Sequence, residues 1–216
     1  MKPVLKFCGH RSYDDYRLAA ASRADYIGFV FYRGSQRYVA PSDVGAWTRL
    51  VPPGAKQRLV GVFVRPDLSD IAATLRYVDL SVIQLHGDES PAFTKKVKAL
   101  FRKTVWKAIH HGEGEWRRMA AYEGAADGYI IDRKTVDQWG GTGAAFDWTY
   151  VPQYVEEAHR QGALCLIAGG VTNANIERLL AYRPDGVDVA SGIERDGAKV
   201  AALMREMERK VEGHHA

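Results

Sequence analysis

The sequence predicts a closed (β/α)8 barrel, a single α/β domain over residues 1–216. Three observations carry this. Eight short runs rich in β-branched and aromatic residues recur along the chain, with helix-like stretches between them. Several of these runs are nearly continuous in hydrophobicity rather than alternating, as strands covered on both faces are. Strands that alternate with helices build parallel βαβ units, and about 200 residues suffice to close them into a barrel. The competing doubly wound sheet lacks its G-x-G-x-x-G signature after the first run.

In chain order the expected strands are "VLKFC" (4–8), "DYIGFVF" (25–31), "RLVGVFV" (58–64) and "DLSVIQLH" (79–86). "TVWKAI" (104–109), "GYIID" (128–132), "ALCLIAGG" (163–170) and "GVDVAS" (186–191) follow. Eight helical segments are expected between and after them. The first, "SYDDYRLAAASRA", opens on Ser12 as N-cap and then on acids, which suit a helix N-terminus. "SDVGAWTRLV" follows Pro41, and "DLSDIAATLRYV" opens with Asp67 after Pro66. In the last helix Val200, Leu203, Met204, Met207 and Val211 form one apolar stripe. The longest gaps follow the second and sixth strands, and long βα loops belong to the catalytic face of a barrel.

Composition narrows the function classes. A hydrophobic fraction of 46% and a charged fraction of 26% are ordinary for a globular chain. No apolar run approaches the roughly 18 residues that would span a membrane. Lys6 interrupts the only apolar stretch near the start, so no signal peptide is expected and the cytoplasm is the expected location. A disulfide between Cys8 and Cys165 is therefore not expected. There is no CxxC or HExxH spacing, hence no metal site. The net charge of +4 comes from scattered residues. That argues against a nucleic-acid partner and suits steering of a small anionic substrate.

Cys8 ends the first strand, at the mouth where barrel enzymes place their chemistry. Lys6 lies on the same side of that strand and points into the barrel below it. A buried Lys needs a partner, and Asp188 on the adjacent eighth strand is the candidate. A cation there would favour the Cys8 thiolate. Cys165 lies mid-strand and reads as structural. Two glycine-bearing corners follow the seventh and eighth strands, one at Gly169 and Gly170, the other at Ser191 and Gly192. Loops at these two positions often hold phosphate, through backbone N–H groups and helix N-termini. Asp132 closes the sixth strand, ahead of a loop with Gly140, Gly141, Thr142 and Gly143, while Asp147 reads as a helix N-cap. Arg37, in "GSQRYVAP" on the same rim, is suited to a planar carboxylate.

Seven stretches from end to end, "KFCG", "GFVFYRGSQRYV", "VGVFV", "QLHGDES", "GGTGAAFDW", "AGG" and "GVDVASGIE", resemble the phosphoribosylanthranilate isomerase family of tryptophan biosynthesis. The resemblance implies a (β/α)8 enzyme that performs an Amadori rearrangement of an aminoaldose to an aminoketose, with no metal and no cofactor. It implies Cys8 as general base, Asp132 as general acid, Arg37 on the anthranilate carboxylate and the two glycine corners on the phosphate. We assign Gly141 and Asp188 to substrate binding as well. The partner is a small phosphorylated anion, and the chain is expected as a monomer or homodimer.

Opening a ribose ring needs a proton on its oxygen, and the Schiff base must then lose the C2′ proton. One acid and one base on opposite sides suffice. Two departures stand out: His10-Arg11 replaces the Ile-Thr that commonly follows Cys-Gly, and Gln36 stands where Pro is common. His10, beside the base, is expected to bear on its pKa or on specificity, and is the one local partner for a nucleophilic Cys8. Two other readings compete. A related barrel isomerase of histidine biosynthesis carries Asp at the Cys8 position. A catalytically silent phosphate-binding barrel has no use for Cys8 and Asp132.

Overall fold

The computed structural model describes residues 2–133 and 145–214. Eight parallel strands close on themselves in chain order: β1 (Val4–Cys8), β2 (Tyr26–Val30), β3 (Arg58–Phe63), β4 (Val82–Leu85), β5 (Thr104–His111), β6 (Gly128–Arg133), β7 (Leu164–Ile167) and β8 (Gly186–Val189). The eighth pairs with the first, Lys6 standing opposite Asp188 in the register. All eight match the runs expected from sequence, within a few residues at their ends.

The described α-helices are α1 (Tyr13–Ala20), α2 (Pro41–Leu50), α3 (Leu68–Leu75), α4 (Pro91–Phe101), α5 (Val151–Arg160), α6 (Ile176–Leu180) and α7 (Ala201–Gly213). Their starts carry the expected chemistry. Ser12 Oγ accepts from the Asp15 N–H at 3.1 Å, and Pro41 takes the first position of α2, where a missing N–H matters least. Asp147 caps a three-residue 3-10 turn by accepting from Thr149 N at 3.0 Å. In α7 the stripe buries Met204, Met207 and Val211.

Between β5 and β6 the helical segment Glu115–Tyr122 is of the 3-10 kind. Its apolar residues Trp116, Met119 and Tyr122 recur every three positions, the 3-10 period, and Met119 and Tyr122 are buried.

Alternation along the strands divides the core in two. Outward-facing Phe7, Phe29, Ile83, Ile131, Ile167 and Val187 pack under the helices. The inward faces make a small plug of Val60, Val82, Trp106, Ala108, Ile130, Leu166 and Ala168. Tyr26 closes on Trp106 edge to face, ring centres 4.7 Å apart. Above the plug the same inward faces turn polar. Lys6 and Cys8 of β1 lie two positions apart, Gln84 of β4 and Asp132 of β6 lie two positions beyond the plug residues Val82 and Ile130, and Asp188 of β8 stands opposite Lys6 in the register. After β8 the chain folds a short antiparallel hairpin, β9 (Glu194–Arg195) and β10 (Ala198–Lys199), before α7.

Candidate active site

The C-terminal mouth of the barrel holds a cavity of about 760 Å³, open mouth included. Cys8, Arg37, Gln84, His86, Asp132, Gly169, Gly170, Asp188 and Ser191 are among its lining residues. Its floor is one hydrogen-bonded chain. Lys6 Nζ, fully buried, donates to Asp188 Oδ2 at 2.6 Å, to Gln84 Oε1 at 2.8 Å and to Cys8 Sγ at 3.4 Å. Gln84 Nε2 lies 2.9 Å from His86 Nδ1, and His86 Nε2 lies 3.1 Å from Asp132 Oδ2. The thiol and the carboxyl at opposite ends of this chain are the two residues that sequence singled out for acid–base work. The sequence-based pairing of Lys6 with Asp188 is present as a buried ion pair. Asp188 Oδ1 is buried with no hydrogen-bond partner among the described residues.

The electrostatics run against one expectation. Burial pulls the Lys6 ammonium down, but Asp188 and Cys8 more than offset it, and Lys6 stays charged. For Cys8 burial is the largest influence and raises the thiol; the Lys6 charge and hydrogen bond lower it, yet the net shift is upward. The nearby cation therefore limits the rise without producing a low-pKa thiolate, because the buried Cys8, 7% exposed as a residue, loses more hydration than Lys6 returns. Burial raises the Asp132 carboxyl too, but the hydrogen bond from His86 and the Arg133 N–H at 2.7 Å from Oδ1 hold it below its ordinary value. Cys165 is fully buried and its thiol is pushed well up by burial, as suits an inert core residue. Both cysteines are free thiols.

Arg37 lines the cavity, but its Nε and Nη2 are both taken by Glu194, at 2.9 and 2.7 Å. Glu194 also accepts from Lys199 Nζ at 2.7 Å, and Lys199 donates on to the carbonyls of Cys8 and Ala190. The β9–β10 hairpin thus grips the Arg37 guanidinium from one side and the end of β1 from below. Sequence reasoning missed Glu194, Lys199, Gln84 and His86. "QLHG" and "SGIE" were noticed as similar stretches, but no local pattern marks them as partners of residues on other strands.

The two glycine corners lie together, joined by a bridge between Thr172 and Gly192. Gly169, Gly170 and Ser191 line the cavity, whereas Gly192 backs it, where a Cβ would collide with the Val171 carbonyl oxygen. Gly169 has φ +74°, and a Cβ there would sit 2.5 Å from Asp132 Oδ1, so its bareness serves the carboxyl as much as an anion. The helix N-terminus expected at these corners is not available. The nearest helix, α6, starts at Ile176 and has five residues, and the β8 corner leads into the hairpin instead. The loop is held by Asn175, which accepts from Thr172 N at 2.8 Å and donates to Gly170 O at 2.8 Å.

His10 corrects a further expectation. It is fully buried, its Nε2 3.1 Å from Phe7 O and its ring edge-on to Phe29 in the layer under the helices. It does not line the cavity, and burial holds it well below its ordinary pKa, so it neither activates Cys8 nor contacts a substrate. Gly141, with Gly140, Thr142 and Gly143, lies outside the described residues.

Comparisons with known proteins agree with this geometry. The family model described as N-(5'phosphoribosyl)anthranilate (PRA) isomerase matches residues 5–210. The N-(5'-phosphoribosyl)anthranilate isomerase of Geobacillus thermodenitrificans is 52% identical over 212 residues, 98% of this chain and 95% of that protein. The crystal structure of phosphoribosyl anthranilate isomerase from Thermotoga maritima superposes with a TM-score of 0.85 at 30% identity, covering 98% of this chain and 99% of that one. A further isomerase structure, a complex with reduced 1-(o-carboxyphenylamino)-1-deoxyribulose 5-phosphate, matches with a TM-score of 0.79 at 28% identity over 98% of this chain and 99% of that one. The barrel, its polar mouth and these likenesses along the whole chain show that it belongs to the N-(5'-phosphoribosyl)anthranilate isomerase family.

Proposed function

We propose that this chain carries out the isomerisation for which its family is named with Cys8 as base and Asp132 as acid. The observation that carries the assignment is that the two groups share one cavity and are the two ends of one hydrogen-bonded floor. The ring oxygen takes the Asp132 proton as its bond to C1′ breaks, which leaves a protonated Schiff base. Cys8 takes the C2′ proton, and the electrons of that C–H bond form an enolamine. Transfer of the enol proton from oxygen to C1′ completes the ketone, so the reaction needs no outside proton.

Arg37, held from one side by Glu194, offers its remaining N–H groups to the anthranilate carboxylate. Backbone N–H groups of Gly169, Gly170, Ser191 and Gly192 supply the phosphate cradle. Asp188 Oδ1, without a partner among the described residues, is an acceptor for a substrate N–H or O–H. Gly141 keeps its sequence-based assignment to substrate binding, which nothing among the described residues bears on.

The pKa directions add a constraint. With the thiol raised and the carboxyl lowered, the pair rests at neutral pH as thiol and carboxylate, with one proton between them. The working form, thiolate and carboxylic acid, has the same proton count and differs only in where the proton sits. Turnover of phosphoribosylanthranilate, followed by loss of its fluorescence, tests the reading. An active preparation supports it, and a pure folded protein that leaves the fluorescence unchanged would refute it.

A further inference from the structure

We propose that Gln84 is a positioning residue that fixes where the acid's neighbour carries its proton: held by Lys6, its amide commits His86 to the Nε2–H form that faces Asp132. The inference rests on the assignment of Asp132 as the acid and goes beyond it. Lys6 has three N–H protons and three acceptors, Asp188 Oδ2, Gln84 Oε1 and Cys8 Sγ. An ammonium accepts nothing, so the amide must present its oxygen to Lys6. Its NH2 group then faces His86 Nδ1 at 2.9 Å. Only an unprotonated Nδ1 can meet it. The single proton of the neutral ring is left on Nε2, 3.1 Å from Asp132 Oδ2.

A second proton on His86 would set N–H against NH2. The amide cannot turn to relieve this, because turning would set NH2 against the Lys6 ammonium. The buried cation on β1 thereby opposes a second cation beside Asp132 on β6, although Lys6 and Gln84 lie 78 positions apart in the chain. The other groups facing His86 leave the arrangement intact. Asp132 accepts from Nε2, and His110 on β5 stands edge-on at 5.5 Å and meets the His86 carbonyl oxygen through its own Nε2 at 3.1 Å.

The consequence is chemical. Asp132 must carry a proton to open the ring. An imidazolium beside it would pin it as carboxylate in an ion pair, whereas a neutral N–H donor holds it far less firmly. Gln84 touches no reacting atom in this scheme; it acts on the acid through His86.

Nitrogen-15 spectra of histidine-labelled protein decide the matter, with His86 picked out among the seven histidines by a His86→Gln variant. In the wild type at neutral pH, His86 should show a bare Nδ1 and a protonated Nε2. In Gln84→Glu, a carboxylate accepts from both Lys6 and Nδ1, so both ring nitrogens should be protonated. Its kcat should fall by at least roughly tenfold with KM within about threefold, the signature of a lost transition-state role. A wild-type His86 found protonated on Nδ1 overturns the proposal. So does a Gln84→Glu protein with the wild-type His86 spectrum or the wild-type kcat. If Gln84→Glu fails to fold, Gln84→Met supplies the kinetic arm: a mixture of ring forms and a reduced kcat are expected, and an unchanged spectrum with unchanged kcat overturns the proposal. The spectra are independent of turnover. An active Asp132→Asn enzyme would remove the acid assignment while leaving the His86 result standing.

Discussion

Asp132→Asn is the most direct probe of the acid. Its Oδ1 accepts from Arg133 N at 2.7 Å, and Oδ2 accepts from His86 Nε2 at 3.1 Å. Asparagine keeps the first bond through its carbonyl. At the second it places an NH2 against the His86 N–H, and the proton to be donated is gone. General acid groups contribute typically ~10²–10⁴ in rate, so kcat should drop by at least about a hundredfold, about 2.7 kcal/mol at 1.36 kcal/mol per decade. An unsatisfied buried donor costs ~1–3 kcal/mol. The His86 and Asp132 side chains keep 14% and 17% exposure, which lets water relieve the clash and favours the low end of that range, about 1 kcal/mol of stability. The assay pairs initial rates of fluorescence loss with the affinity for a stable product analogue. Affinity should change little, since Arg37 and the phosphate corners lie elsewhere on the rim. Asp147→Asn is the control: it keeps a good N-cap on an exposed turn, and its kcat should stay within a few-fold. An Asp132→Asn enzyme that retains a tenth or more of wild-type kcat would mean that the proton comes from another group.

Cys8→Ala should fold and lose nearly all turnover, while Cys165→Ala should lower the melting temperature more than the rate; equal losses of activity would sink the distinction. Alkylation of Cys8 by a neutral reagent reads its thiolate directly. Because folded Cys8 lies above the ordinary 9.0, the alkylation rate should still be climbing as pH passes 9.0, and a plateau at neutral pH would contradict the buried-thiol account. For kcat/KM the enzyme needs one proton on the Cys8–Asp132 pair. Activity should therefore be lost as the pair gains a second proton, on the Asp132 carboxylate, below pH 3.8 and as Cys8 loses its proton above pH 9.0, with substrate phosphate ionisation superposed near pH ~6. Lys6→Met strands the buried Asp188 carboxylate, which costs about 3–5 kcal/mol; a denaturation midpoint equal to wild type would show that the pair is not what holds the floor together. Gly192→Ala should raise KM for substrate and weaken inhibition by inorganic phosphate, since its Cβ forces the two corners apart.

The barrel was legible because strand and helix periods are local properties. Cys8 and Asp132 were legible because both close strands at the same end. The glycine corners were legible as turns at the mouth, and the helix after strand seven is α6; what sequence does not say is that α6 begins only at Ile176 and that the β8 corner becomes a hairpin, so that neither corner is backed by a helix N-terminus. Gln84 and His86 looked like the tail of an ordinary strand. Their meaning comes from Lys6 and Asp132, on strands that meet them only when the barrel closes. Glu194 and Lys199 were hidden for the same reason: Glu194 holds Arg37, 157 positions away, and Lys199 holds Glu194. His10 was misread because nearness in sequence to Cys8 was taken for nearness in space, whereas Gly9 at φ +79° turns the chain and sends the ring under the helices.

The inner plug below the mouth consists of seven buried side chains, while the layer between strands and helices is several times larger. Most of the apolar burial that opposes chain entropy therefore lies outside the strand ring, away from the reacting groups. Apart from the Lys6–Asp188 pair, a residue at the mouth can be exchanged without emptying the main core. Mutation can thus explore new chemistry at one end of this barrel while the folding free energy is held, almost separately, by its outer wall.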